Sequence, residues 1–136
     1  MATNLLISFL FTVCYSLFLV TFAVMKFTLS IGSNTDQSSN VAEAKQRLRV
    51  LFPNIVFSEE HWTAPVGIVS GRFLNLLAHA ETTLPAEELQ ETLKQIEADM
   101  GDSHANHQKG HVVIDLDLAY YNGKKMKPII WLEQIQ

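Results

Sequence analysis

The chain has a single cysteine, Cys14, among its 136 residues. No intramolecular disulfide or cysteine-built metal cluster can therefore form, and a reducing compartment is permitted. A basic surplus is also lacking: ten Lys and Arg stand against 14 Asp and Glu, for a net charge of −4 and a pI near 5.7. That balance argues against nucleic acid as a partner, since a general nucleic-acid surface needs a basic face. Any phosphate must be held locally. Internal repeats and low-complexity tracts are absent. Charge is scarce, at 18% of residues against 48% hydrophobic, which at this length suits one domain with a proper core and is too short for two.

The longest stretch without charge runs from Leu5 to Val24, enough to span a bilayer as a helix. A cleavable signal fits less well, because no basic region precedes the run and no clear small-residue cleavage site follows it. Two readings stand side by side. Residues 1–24 are an apolar transmembrane helix, or they precede the true start at Met25 through a mis-chosen start codon. Residues 25–136 form the domain on either reading. Lys26 on the C-terminal flank favours a cytoplasmic domain, anchored to a membrane through residues 5–24 only if that segment is made.

Past Met25 the hydrophobic period changes in an orderly way. Phe27, Leu29 and Ile31 alternate with polar residues as a strand, which Gly32-Ser33-Asn34-Thr35 ends. Ser38-Ser39-Asn40 offers caps for a helix with Val41, Ala44, Leu48, Leu51 and Phe52 as its apolar stripe, and Pro53 stops it. Asn54 to Trp62 reads as a second strand, residues 63–67 as a loop, and Phe73 to Thr82 as a third strand. Leu84-Pro85 opens a second helix with Glu87 and Glu88 in its first turn and Leu89, Leu93 and Ile96 on one stripe, and Gly101 terminates it. A fourth strand follows, then the turn Tyr120-Tyr121-Asn122-Gly123, with Met126 to Leu132 returning as a short hairpin partner. The order βαββαβ predicts an α+β, ferredoxin-like fold: an antiparallel sheet with two helices on one face, preceded by the N-terminal apolar helix.

The fourth strand holds the chemistry. In Val112-Val113-Ile114-Asp115-Leu116-Asp117-Leu118, alternation puts Val112, Ile114, Leu116 and Leu118 on one face. Asp115 and Asp117 share the other, with Cα atoms about 6–7 Å apart. Like charges so close repel unless a cation sits between them, and no Lys or Arg shares that face between His111 and Ala119. A hard divalent cation carrying phosphates is the natural occupant. A half-buried strand with an acidic solvent face accounts for the pair equally well.

Four separated segments resemble the 6-hydroxymethyl-7,8-dihydropterin pyrophosphokinase family. They are Ser30-Ile31-Gly32-Ser33-Asn34, the loop Trp62-Thr63-Ala64-Pro65-Val66-Gly67, Phe73-Leu74-Asn75 with Leu84-Pro85-Ala86-Glu87-Glu88-Leu89, and Gln95-Ile96-Glu97 through Gly101 to Ile114-Asp115-Leu116-Asp117-Leu118. Each is weak alone; their order and spacing from Phe27 to Gly123 identify the family. The resemblance implies transfer of pyrophosphate from ATP to a pterin alcohol, with Asp115 and Asp117 holding two Mg²⁺ ions. It implies that Asn75 reads the polar edge of the pterin, and that Phe73, in place of the usual tyrosine, lines the pterin pocket with Thr63, Pro65 and Val66. Glu97, Lys109 and Leu118 fall to the nucleotide side.

The departures are as informative as the matches. The family presents a basic loop ending in Trp-Gly-Pro-Arg before the aspartates, whereas this chain has Asp102 at its start, Val112 at the signature arginine, and Lys109 as the one fixed positive charge between. Lysine is a point charge and does not replace a planar guanidinium without loss. The family's long C-terminal part, with further basic residues and an aromatic that sandwiches the pterin, has no counterpart before Gln136. His104, His107 and His111 with Asp102 are chemically sufficient for zinc. A solvated loop or a weak, pH-dependent stand-in for the arginines suits them better. The expectation is a short, divergent family member with weak transfer to the pterin. The alternative is a non-catalytic pterin- or nucleotide-binding module, and a partner chain is a further possible source of the missing cations.

Overall fold

A computed structural model describes residues 23–65 and 71–135. Most of the apolar run of residues 5–24, and Val66, lie outside the described residues. Among those described, no helix is long and apolar enough to cross a membrane.

The first strand, β1 (Met25–Ser33), is central, pairing antiparallel with β4 (Phe73–Thr82) on one side and β5 (Asp115–Tyr121) on the other. The order across the sheet is β2-β4-β1-β5-β6, where β2 is Val56–Phe57, β6 is Lys124–Lys125, and β3 (His61–Thr63) also pairs with β4. Alternation sends Phe27, Leu29 and Ile31 of β1, Leu74, Leu76 and Ala78 of β4, and Leu116 and Leu118 of β5 to one face. There they meet Val41, Ala44 and Leu48 of helix α1 (Gln37–Leu51) and Leu89, Leu93 and Ile96 of helix α2 (Ala86–Asp99) in a single core. Each fully buried Val, Leu, Ile or Phe among them contributes roughly 1.5–3 kcal/mol. Both long helices thus cover the same face, and the opposite face of the sheet is left for other uses.

Several local expectations change. Helix α1 begins at Gln37, with Asp36 (φ 42°) at its N-cap, rather than after the Ser38-Ser39-Asn40 caps. The turn before it is pinned from outside: Asn34 N–H donates to Val112 O at 3.0 Å, so the helix has to start at once. Leu51 is exposed, and Phe52 alone ends the stripe in the core. The second strand is two short ones, because between them Ser58 Oγ accepts the Leu77 N–H at 2.8 Å and carries the ladder through a side chain.

The run 112–118 joins the ladder only at Asp115. Ile114 still faces the core, but Val112, although buried, is not part of the core cluster. Met126 to Leu132 does not return as a strand. The Asn122-Gly123 turn, with φ of 50° and 79°, makes a hairpin of only two residues each side with Tyr120 and Tyr121. Pro128 offers no N–H to a ladder, and the chain crosses to a 3₁₀ helix at Ile130–Gln134.

Candidate functional site

The helix-free face holds a row across three strands. Asn75 on β4, Gly32 on β1 and Asp115 on β5 are direct neighbours, and Asp117 faces Ser30 one step along. Gly32 is required at its centre: a Cβ there would stand 2.7 Å from Asn75 Oδ1. The Asn75 side chain is buried and donates from Nδ2 to Thr63 Oγ1 at 2.6 Å. Its amide is therefore fixed in one orientation before any ligand arrives.

The Ser33-Asn34 pair locks the approach to β5. Ser33 Oγ lies 2.6 Å from Val113 O. The Asn34 side chain accepts the Val112 N–H at 2.6 Å and donates to Gly110 O at 2.8 Å. From the other side Asp102, its side chain only 4% exposed, accepts the Val113 N–H at 2.9 Å and meets His107 Nε2 at 2.6 Å. Asp102 is thus an inward clamp rather than an acidic intruder among phosphates. The loop around it forms a short helix α3 (His104–Gln108). His104 lies against Gln108, and no group of three metal-ligating side chains exists among the described residues.

Over this face lies the segment from Lys127 to Gln134. Trp131 is buried, and its Nε1 donates to Ser30 Oγ at 2.8 Å. The Gln134 amide clips both backbone groups of Ala64, at 2.9 and 3.2 Å. Beneath that roof is a cavity of about 250 Å³, with Gly32, Asn75, Thr63 and Phe73 at its floor, Asp115 and Asp117 at one wall, and Lys127–Trp131 above. Pro65 is exposed and outside this lining. His107 and Val112 border it, which is where the side chain of Val112 goes instead of to the core.

A second cavity, of about 310 Å³, opens along the outer edge of β5, which β6 covers only at Tyr120 and Tyr121. Gln90, Lys94 and Glu97 of α2 form one side and Asp115, Asp117 and Lys127 the other. Glu97 Oε1 accepts the outward Leu116 N–H at 2.9 Å, so this residue is part of the site's frame. Leu118 borders the cavity while being buried in the core. Lys109, at the end of α3, is exposed and borders neither cavity.

Electrostatically the junction is overcrowded with negative charge. Burial first, then the charges of Asp117 and Glu97, push the Asp115 carboxyl up to about 7. Burial likewise raises Glu97, with the Leu116 N–H pulling the other way. No Lys or Arg shares the aspartates' face between His111 and Ala119, but a cation reaches it from outside that stretch: Lys127 Nζ donates to Asp117 Oδ1 at 2.7 Å. Partial burial works to lower the Lys127 ammonium, but its bond to Asp117 and the surrounding carboxylates raise it overall.

Lys127, Trp131 and Gln134 are not among the candidate site residues of the sequence, and Ser30 enters there only as the first residue of the motif Ser30-Ile31-Gly32-Ser33-Asn34. Pro128 inside a supposed strand was the one available signal that the chain turns across the face there.

The sequence model of the 7,8-dihydro-6-hydroxymethylpterin-pyrophosphokinase family matches residues 28–134, from β1 through the 3₁₀ helix. Enzymes of that family are diphosphotransferases that move pyrophosphate from ATP to hydroxymethyldihydropterin in folate biosynthesis. With most of its length matched and both cavities inside the match, the chain belongs to the 7,8-dihydro-6-hydroxymethylpterin-pyrophosphokinase family.

Proposed function

We propose that the cavity under Trp131 takes the pterin, the cavity along the β5 edge takes the ATP polyphosphate, and Asp115 and Asp117 hold Mg²⁺ between them. The strand order β5-β1-β4 followed by β2 and β3 supports a ferredoxin-like sheet, and the face away from the two long helices is the surface used. One observation carries this reading: the two cavities differ in chemistry and share Asp115, Asp117 and Lys127 at their junction. Pyrophosphoryl transfer needs the 6-hydroxymethyl oxygen in line with the β-phosphorus. A ring held in one cavity and a phosphate chain held in the other meet at that junction.

The donor set fits Mg²⁺. Two oxygen donors on one face, without a third protein ligand, suit a hard ion that completes its shell with phosphate and water. The upward push on Asp115 comes from burial first and then from the Asp117 and Glu97 charges, and a cation held there opposes it. Bound there, Mg²⁺ supplies neutralisation and alignment of the phosphates.

The chain's own residues do the positioning. Asn75, fixed by Thr63, offers its amide to the heterocycle's polar edge, and Phe73 and Trp131 offer aromatic surface. Trp131 supplies from the 3₁₀ segment the aromatic that the resemblance placed further along. Glu97 holds the β5 edge that borders the nucleotide, and Leu118 borders it through the same edge. The family's location supports a cytoplasmic protein.

Calorimetric titration of the full chain with 6-hydroxymethyl-7,8-dihydropterin, then with Mg²⁺ and α,β-methylene ATP, tests the reading. Pterin binding and strictly Mg²⁺-dependent nucleotide binding are expected. Absence of pterin binding overturns the assignment of the cavity under Trp131, and nucleotide binding indifferent to Mg²⁺ overturns that of the aspartates.

A further inference from the structure

Lys127 is the one lysine that borders both cavities; Lys94 borders only the β5-edge cavity. Its ammonium sits on Asp117 Oδ1 at 2.7 Å, against one of the two carboxylates read as metal ligands. The side chain nevertheless remains 58% exposed. A pair so open to water is held weakly and exchanges partners at little cost. A metal ion on this carboxylate repels the ammonium and competes with it for the same negative charge, which favours release of Lys127. The displaced ammonium then lies at the rim of both cavities, beside whatever phosphate the metal carries. No arginine borders either cavity among the described residues.

Resting on the reading of Asp115 and Asp117 as metal ligands, we propose that Lys127 is the polyphosphate-binding cation of this site, parked on Asp117 in the free protein and passed to a phosphate oxygen when metal and nucleotide bind. In the free state it occupies part of the metal's place; in the loaded state it contributes a charge-assisted hydrogen bond to phosphate. The two states give opposite signs for one substitution, which a merely structural role for Lys127 does not produce.

The test uses the full chain and two separate ligands. Mn²⁺ without nucleotide is followed by the electron paramagnetic resonance of the free ion, and Mg²⁺ with α,β-methylene ATP by calorimetry. Lys127→Met is expected to bind Mn²⁺ alone about 3–10-fold more tightly, by removal of a competing cation. It should bind the Mg²⁺-nucleotide about tenfold or more weakly, by loss of a phosphate contact, with Lys127→Arg restoring most of that affinity. Asp117→Asn should weaken Mn²⁺ binding whatever stands at position 127. Should both constants move together in Lys127→Met, or neither move while Asp117→Asn still weakens Mn²⁺ binding, the Lys127 assignment is wrong and the metal site stands. Failure of the wild type and of Lys127→Met to bind Mn²⁺ overturns both.

Discussion

The two cavities are built on opposite physical plans. The one under Trp131 is satisfied while empty: Asn75 bonds Thr63, Trp131 bonds Ser30, and Gln134 bonds Ala64. Away from the wall of Asp115 and Asp117 that the two cavities share, its polar groups are paired, so its shape is set by folding and a flat ligand meets a prepared slot. The β5-edge cavity is unsatisfied while empty. Three carboxylates face it, Asp115 and Glu97 are both raised by burial, and of the two lysines that border it Lys127, half-exposed, is the one paired with a carboxylate among the described residues. Neutral, directional contacts build a site that waits unchanged for its ligand. Crowded like charges build one that needs a cation to be complete, and part of its cost is carried by the fold.

The largest expected effect tests the charged half. Asp115→Asn and Asp117→Asn should each lower pyrophosphoryl transfer about 10²–10³-fold, the loss of metal-borne charge stabilisation, with pterin affinity within about twofold of wild type. Initial rates and pterin calorimetry on the same preparations read both quantities. Loss of pterin binding in either variant would show that the halves are not separable.

Next in size is Gly32→Ala, which attacks the neutral half. The added methyl falls on Asn75 Oδ1, and the amide can yield only by leaving Thr63. Overpacking of this kind costs about 1–3 kcal/mol, so pterin affinity should fall about 10–100-fold while Mn²⁺ binding is unmoved. Trp131→Ala should weaken pterin binding about tenfold, in line with the roughly 1–3 kcal/mol of a heterocycle stacked on an aromatic side chain. It should also open the roof, seen as faster hydrogen exchange of the Ala64 amide.

The unequal legibility of the two halves has the same physical root. Strand β4 runs from Phe73 to Thr82 as read from its alternation, because a strand in contact with neighbours on both sides expresses its period undisturbed. The shared face of Asp115 and Asp117 was likewise legible, since it follows from a period of two. Val112 escaped, because that period applies only where the ladder runs, and Asn34, Ser33 and Asp102 hold residues 112 and 113 by side chains instead. Lys127 and Trp131 escaped for a different reason. Their partners lie 10 and 101 residues away, and contact across such distances depends on where a short irregular tail crosses the sheet. Lys109 was singled out for being the one cation inside a loop; position in the sequence is no guide to position in the field. Asp102, read as a defect, became a clamp once its carboxylate proved to have two partners.

The smallest expected effect is on stability and isolates the cost of the charged half. Asp115 has an ordinary value of 3.8, and burial with its acidic neighbours raises it to about 7 in the folded chain. Between those values the folded state holds a proton that the unfolded state has released, so folding stability falls as pH rises. The contribution is complete below the unfolded value and is lost as pH passes about 7. Asparagine has nearly the shape of the protonated acid and cannot ionise. In chelator, Asp115→Asn should therefore match the wild type in unfolding free energy below about pH 4, gain on it through the range up to about 7, and exceed it by about 1–2 kcal/mol or more at pH 8. Asp117→Asn should show a smaller gain, since the relief of Asp115 is set against the loss of a pair with Lys127 worth about 0–1 kcal/mol. Equal stability of Asp115→Asn and wild type at pH 8 would mean that the empty acidic site costs the fold nothing, and the contrast between a satisfied half and an unsatisfied one would go with it.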